Sequence, residues 1–178
     1  MDEQYFNLAE KACTIVQLEG WADSLPAFEA VLAPQVGGTL PTATGDTARF
    51  KQRHLIRIAP RRFWLLSDEG LSPDLKIDQA LGCSISLSQG RTRLKLTGQR
   101  LFEVLSSCVA IDWGSPIAAP GKAIQTGFHR VPILLLRTGD FACDLVAPRS
   151  FSQSLSAWII DMAASPGQPV QLNSAKGQ

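Results

Sequence analysis

Apolar positions along the chain follow two rhythms. Alternating or continuous runs of β-branched and large apolar residues predict strands at ACTIVQL (12–18), HLIRIA (54–59), RFWLLS (62–67), CSISL (83–87), VPILLLR (131–137) and FACDLVA (141–147). RTRLKLTG (91–98) shows the cleanest alternation: Thr92, Leu94 and Leu96 interleave with Arg91, Arg93 and Lys95. One face of that strand must pack, and the other is basic. Helical spacing predicts helices over 24–32 (Leu25, Phe28 and Leu32, capped by Ser24), 73–81 (Leu75, Ile77 and Leu81) and 98–107 (Leu101, Val104 and Leu105, widened by Phe102). The last helix is the best defined. Phe151, Leu155, Trp158, Ile159 and Met162 share one face, Ser150 and Gln153 form an S-x-x-Q capping box, and SPG (165–167) ends it.

Loops separate these elements at 34–46 and 111–127, both rich in Gly and Pro, with tight turns at Pro60–Arg61 and at TGD (138–140). The order is β-α-loop-β-β-α, twice, with an extra strand between. It predicts an α+β fold of tandem split β-α-β-β-α units, with antiparallel sheets covered by helices. The chain of 178 residues then forms one domain of two pseudo-repeated halves, about 11–82 and 85–164, and a polar tail over 165–178 expected to fray. The halves share pattern rather than residues.

Composition narrows the function classes. A 45% hydrophobic content supports a real core. With 17 basic and 16 acidic side chains, the net charge of +1 gives no global pull toward nucleic acid or a membrane surface. The longest apolar stretches, VPILLL and WIIDMAA, fall far short of a membrane span. MDEQYFNLAEK lacks the basic and apolar regions of a signal peptide, so the cytoplasm is the expected compartment. There, Cys13, Cys83, Cys108 and Cys143 read as reduced, buried small hydrophobes. His54 and His129 are isolated from them, which disfavours a zinc site.

Chemistry has few candidate homes. Gly98 sits between a strand and a helix near Arg100, where phosphate cradles are built. Neither G-x-G-x-x-G nor a GK[ST] is present, so the site reads as a strand-to-helix hinge. Asp112 and Asp140 read as turn residues, Asp144 lies within a strand, and Asp161 lies on the polar side of the last helix. Two basic regions remain. One is Arg91, Arg93 and Lys95. The other is Arg49, Lys51, Arg53, Arg57, Arg61 and Arg62, with no acid between Asp46 and Asp68. Either could be a solvated face or meet an acidic partner, an anionic cofactor or RNA. RNA is the weakest reading, because no aromatic cluster interleaves the charges. Trp21, Trp64, Trp113 and Trp158 fit core or interface anchoring.

The stretches LSQGRTRLKLTGQRLFEVLSSCVAIDW and QTGFHRVPILLLRTGDFACDLVAPRSFSQSLSAWIIDMA resemble the gamma subunit of heterotetrameric sarcosine oxidase. An RRFWLL-like strand after Pro60 also fits that family, and the match is clear over about 85–163. More distantly the region resembles the folate-binding aminomethyltransferases of glycine cleavage, which fold as tandem α/β units. The resemblance implies a subunit, without its own active site, of a complex that oxidatively demethylates sarcosine to glycine. It implies alpha, beta and delta subunits as partners, with FAD, FMN, NAD and tetrahydrofolate bound on them and none on this chain. Where the aminomethyltransferase hairpin carries a functional acid, this chain has FHRVPILL (128–135) with Arg130. A subunit of a related complex such as N-methylglutamate dehydrogenase and a stand-alone folate-binding protein remain the alternatives. Arg91, Arg93, Lys95 and Trp113 are the candidate partner interface.

Overall fold

The computed structural model describes residues 6–68, 74–164 and the backbone of 171–173. In chain order the strands and helices are β1 (Asn7–Lys11), β2 (Cys13–Gly20), α1 (Leu25–Gln35), β3 (Thr47–Phe50), β4 (Arg53–Ala59), β5 (Arg62–Asp68), β6 (Gly82–Ser86), β7 (Arg91–Thr97), α2 (Leu101–Ser106), β8 (Ala123–Phe128), β9 (Val131–Gly139), β10 (Ala142–Pro148), α3 (Ser152–Ala163) and β11 (Gln171–Asn173). The fold is α+β, as the periodicity predicts. It divides into two compact units, one of residues 12–89 and one of residues 1–11 with 90–178.

The unit of residues 12–89 is a five-stranded antiparallel sheet in the order β3-β4-β5-β2-β6. Helix α1 lies on one face. Phe28 and Leu32 are fully buried there with Leu18, Leu55, Phe63 and Leu65, and the Phe28 ring stacks on Phe63 at 6.4 Å. Ile56, Trp64 and Leu66, which alternate with those positions, are buried as well. A strand buried on both faces needs no polar alternation, which explains why RFWLL reads as a continuous apolar run.

Two sequence-based expectations fail in this unit. Among residues 74–81 no helix forms, and Pro73, the first residue of the expected helix, lies outside the described residues. Instead Gln35 extends its side-chain amide to Lys76, accepting from the Lys76 N–H at 2.8 Å and donating to its carbonyl at 3.2 Å. That amide satisfies the backbone of an extended segment. Leu75 and Ile77, two residues apart, both pack on the Phe28 cluster, a spacing that puts them on one face of an extended chain and on opposite sides of a helix. Ser24, expected to cap α1, makes no cap bond and donates its hydroxyl to the Leu81 carbonyl at 2.9 Å. Pro26 in the first turn starts the helix instead.

The other unit is a six-stranded sheet in the order β11-β1-β7-β10-β9-β8, antiparallel throughout except for β1 with β11. Leu94 and Leu96 on β7, Leu135 on β9 and Leu145 on β10 form the sheet side of its core. Leu101, Val104 and Leu105 of α2 and Leu155 and Ile159 of α3 close over them, as the helical stripes predict. The stripe on α3 is narrower than expected: Phe151 and Met162 stay 39% and 43% exposed.

The Ser150–Gln153 capping box does not form. A 3-10 turn over Arg149–Phe151 leads into α3, and no side chain caps the helix. The Ser152 hydroxyl at its first turn donates to the Glu10 carboxylate at 3.0 Å, and the Thr92 hydroxyl donates to the same oxygen at 2.5 Å. An acid from β1 therefore sits at the helix start, where negative charge is favoured. Strands β1, β3 and β8 carry weak patterns and were not expected. Of the tail expected to fray, Gln171–Asn173 pairs in parallel with Asn7–Ala9. The SPG stop and residues 174–178 lie outside the described residues.

Gly82 opens β6 where no side chain fits. A Cβ there would stand 2.3 Å from the Glu19 carbonyl oxygen and 2.7 Å from the Phe28 ring. Gly82→Ala is expected to cost about 1–3 kcal/mol by overpacking. A lower urea midpoint checks this, and an unchanged midpoint would refute the close approach.

Candidate partner-facing site

Strand β7 builds the first candidate site. Its alternation holds: Thr92, Leu94 and Leu96 are buried, while Arg91 and Arg93 are half-buried and Lys95 is exposed. The structure divides the three cations by role. β7 lies between β1 and β10, with Asp144 of β10 directly opposite Lys95. Arg93 reaches diagonally to Asp144, its Nη2 donating to Oδ2 at 2.6 Å and its Nε to the same oxygen at 3.0 Å. The Arg93 side chain is 11% exposed and Asp144 only 1%. Arg93 is thus the counter-ion of a buried carboxylate, and its reversal would strand that charge. Arg91 and Lys95 are the members of the expected face that remain at its surface.

The second basic region is also largely engaged. Arg57 pairs with Glu29 at 2.6 Å and donates to the Pro41 carbonyl at 2.9 Å and the Pro60 carbonyl at 2.5 Å. Its guanidinium lies 4.8 Å from the Phe63 ring centroid. Arg62 pairs with Glu19 at 2.8 Å and 3.1 Å in a two-pronged contact. The hydrogen bond from Arg62 holds the Glu19 carboxyl below the usual carboxylate range. Arg53 lies over Phe50 at 5.9 Å. Exposed Arg49, Lys51 and Arg61 complete the run.

Trp113 is a half-buried packing residue, tilted against Phe102 at 5.1 Å, with its indole N–H buried. The other side of this cluster is Arg137, which sequence reasoning passed over. It is 7% exposed, stacks 4.4 Å from the Phe102 centroid and donates to the Ala118 and Asp140 carbonyls at 2.6 and 3.2 Å. An arginine ending the apolar run VPILLL was the available signal. The other tryptophans also have structural partners: Trp21 donates to the Gln79 carbonyl at 2.8 Å and Trp64 to the Gln17 side chain at 3.0 Å.

The anion-site reading of Gly98 is replaced by the hinge reading. Gly98 has φ 126°, a conformation that favours glycine, and its N–H donates to Phe141. Arg100 is occupied by Glu103 at 2.6 Å and by the Ala163 carbonyl at the end of α3 at 3.1 Å. Asp112 accepts the Gly114 N–H at 3.0 Å, the turn role expected of it.

The four cysteines are free thiols, with Cys108 and Cys143 buried and Cys13 and Cys83 half-buried, so full burial holds for two of the expected four. Burial pushes the Cys108 and Cys143 thiols up, most strongly at Cys143. A raised thiol pKa means less thiolate and slower alkylation. At about pH 8, iodoacetamide is therefore expected to label Cys13 and Cys83 before Cys108 and Cys143, as read by mass spectrometry. Equal native rates would contradict the burial. The Arg93–Asp144 pair makes a sharper prediction. Asp144→Leu or Arg93→Met alone should cost about 3–5 kcal/mol, and the double variant far less, because each single change leaves a buried charge unpaired. A double-mutant cycle in urea reads the difference, and additive losses would contradict the pairing.

Known proteins fit this geometry. The family model described as "Sarcosine oxidase, gamma subunit family" matches residues 20–165. The sarcosine oxidase subunit gamma of Corynebacterium sp. (strain P-1) is 29% identical over 147 residues, covering 79% of this chain and 72% of that protein. Its counterpart in Arthrobacter sp is 28% identical over 140 residues, covering 76% and 69%. Among solved structures, a chain of the heterotetrameric sarcosine oxidase from Corynebacterium sp. U-96, in complex with pyrrole 2-carboxylate, superposes with a TM-score of 0.80 at 26% identity, covering 94% of this chain and 90% of that one. The aminomethyltransferase T of the glycine cleavage system from Bartonella henselae superposes with a TM-score of 0.67 at 15% identity, over 96% of this chain and 48% of its own length, which shows a shared fold. Among the described residues no helix is long and apolar enough to cross a membrane. Matched over most of its length, the chain belongs to the sarcosine oxidase gamma subunit family.

Proposed function

We propose that the chain is the non-catalytic gamma subunit of a heterotetrameric sarcosine oxidase, joining alpha, beta and delta subunits and serving assembly and stability. The observation that carries this reading is the superposition, over 94% of the chain, on a chain of a heterotetrameric sarcosine oxidase. The side chains support the non-catalytic part. Acid/base catalysis needs a group held near its working pKa and open to substrate. Asp144 is buried against Arg93, Glu19 is held ionised by Arg62, and burial keeps the Cys143 thiol protonated. Oxidative demethylation of sarcosine to glycine then takes place on the partner subunits, which carry FAD, FMN, NAD and tetrahydrofolate. Free thiols suit a reducing, cytoplasmic setting. On the surface of β7, Arg91 and Lys95 form part of the face offered to a partner, with Trp113 packed behind another part of the same unit.

Expression alone and with the neighbouring subunits tests the reading. The isolated chain is expected to bind neither flavin nor folate, and the co-expressed chain to enter a yellow complex that oxidises sarcosine. Tight folate binding by the isolated chain would overturn the proposal in favour of a stand-alone folate protein. A complex that oxidises N-methylglutamate rather than sarcosine would assign the chain to the related dehydrogenase.

A further inference from the structure

A shallow cleft of about 450 Å³ opens beside the β8–β9 turn, lined by His129, Arg130, Val131, Phe151 and Trp158. Its floor is aromatic. Phe128, fully buried, stacks on Trp158 at 6.0 Å, and the His129 ring stands edge-on to both at 5.2 Å. His129 holds a φ of 51°, in the left-handed region where glycine is the low-cost residue. The imidazole is therefore kept at a strained turn position and braced there by two rings. Arg130 and His129 are exposed at the rim, and among the described residues no acid lines the cleft. Phe151, 39% exposed, forms one wall, and Met162, 43% exposed, lies one turn beyond Trp158 on α3.

We infer that this cleft receives a segment of a partner subunit that presents a carboxylate beside an apolar side chain. The inference rests on the assembly reading above and names one surface through which assembly runs. The apolar side chain packs against Phe151 and Trp158, and the carboxylate meets Arg130. Charge complementarity selects the acid: among the described lining residues the rim offers a guanidinium and no carboxylate. Shape selects a protein segment. Small ligands are mostly enclosed by concave pockets, whereas this cleft is shallow and its Phe151 wall is exposed. Exposed aromatic residues beside an arginine are also what protein interfaces enrich.

The test uses co-expression of the full chain with its neighbouring subunits. Arg130→Glu and Phe151→Ser are each expected to lower recovery of the chain in the complex by about tenfold or more, while the urea midpoint of the isolated chain stays unchanged. If the wild-type chain enters the complex and Arg130→Glu and Phe151→Ser enter equally, the cleft is no docking site and the assembly reading stands. If the wild-type chain stays out, both fall. If benzoate, as a free aryl carboxylate, binds the isolated chain and Arg130→Glu abolishes that binding without affecting assembly, the cleft serves a small molecule and the docking inference is overturned.

Discussion

The contact between Arg93 and Asp144 ties together the two central strands of the six-stranded sheet. Asp144 is 1% exposed within a strand that is otherwise apolar, and it stands there only because Arg93 meets it at 2.6 Å. Such a pair adds little net stability over an apolar replacement, but it is costly to half-remove. It also fixes register. Sliding β10 by one residue against β7 would turn Asp144 toward Leu94, Leu135 and Leu145, the buried side of the sheet. The correct pairing positions β7 for β1 on its other edge and brings Glu10 to the start of α3. The placement of the helix that carries Trp158, and of the 3-10 turn that carries Phe151, depends in turn on that start.

The sequence made the regular parts of this arrangement legible. Thr92, Leu94 and Leu96 face one way because β7 is buried on one side and polar on the other, and period two records that directly. Where both faces are buried, as along RFWLL and VPILLL, apolar content alone marked the strands. What failed was decided by contacts distant in the chain. Ile77 and Leu81 sit at helical spacing while Leu75 and Ile77 sit at strand spacing, and the Gln35 amide from α1 holds the chain at Lys76 extended. Ser150 and Gln153 have the right spacing for a capping box, yet Glu10, from the opposite end of the unit's sequence, occupies the helix start through Ser152. Strand β1 carries the modest pattern NLAEK and exists because β7 offers it an edge.

Charge was read correctly along the chain and incompletely in space. The run from Arg49 to Arg62 contains no acid, but Glu29 from α1 and Glu19 from β2 come to Arg57 and Arg62. Arg93 is taken by Asp144 in the same way. After folding, the cations left at the surface include Lys95, Arg49, Lys51, Arg61 and Arg130. Of these, Arg130 lines the same cleft as Phe151 and Trp158. The sequence contained that site as FHRV beside the last helix, but its parts lie on a turn and a helix that only the fold brings together. Asp144, Glu19 and Cys143 are engaged in folding, while Phe151 and Arg130 are exposed. That division suits a chain that acts by joining others.

Anaerobic single-turnover reduction of the flavin by sarcosine, with and without this chain in the assembled complex, tests the central claim most directly. The account predicts the same rate constant per bound flavin in both preparations, with a shorter thermal lifetime when the chain is missing. A rate constant that falls sharply while flavin content and subunit association are unchanged would contradict it, and would place this chain in the chemistry rather than in the assembly.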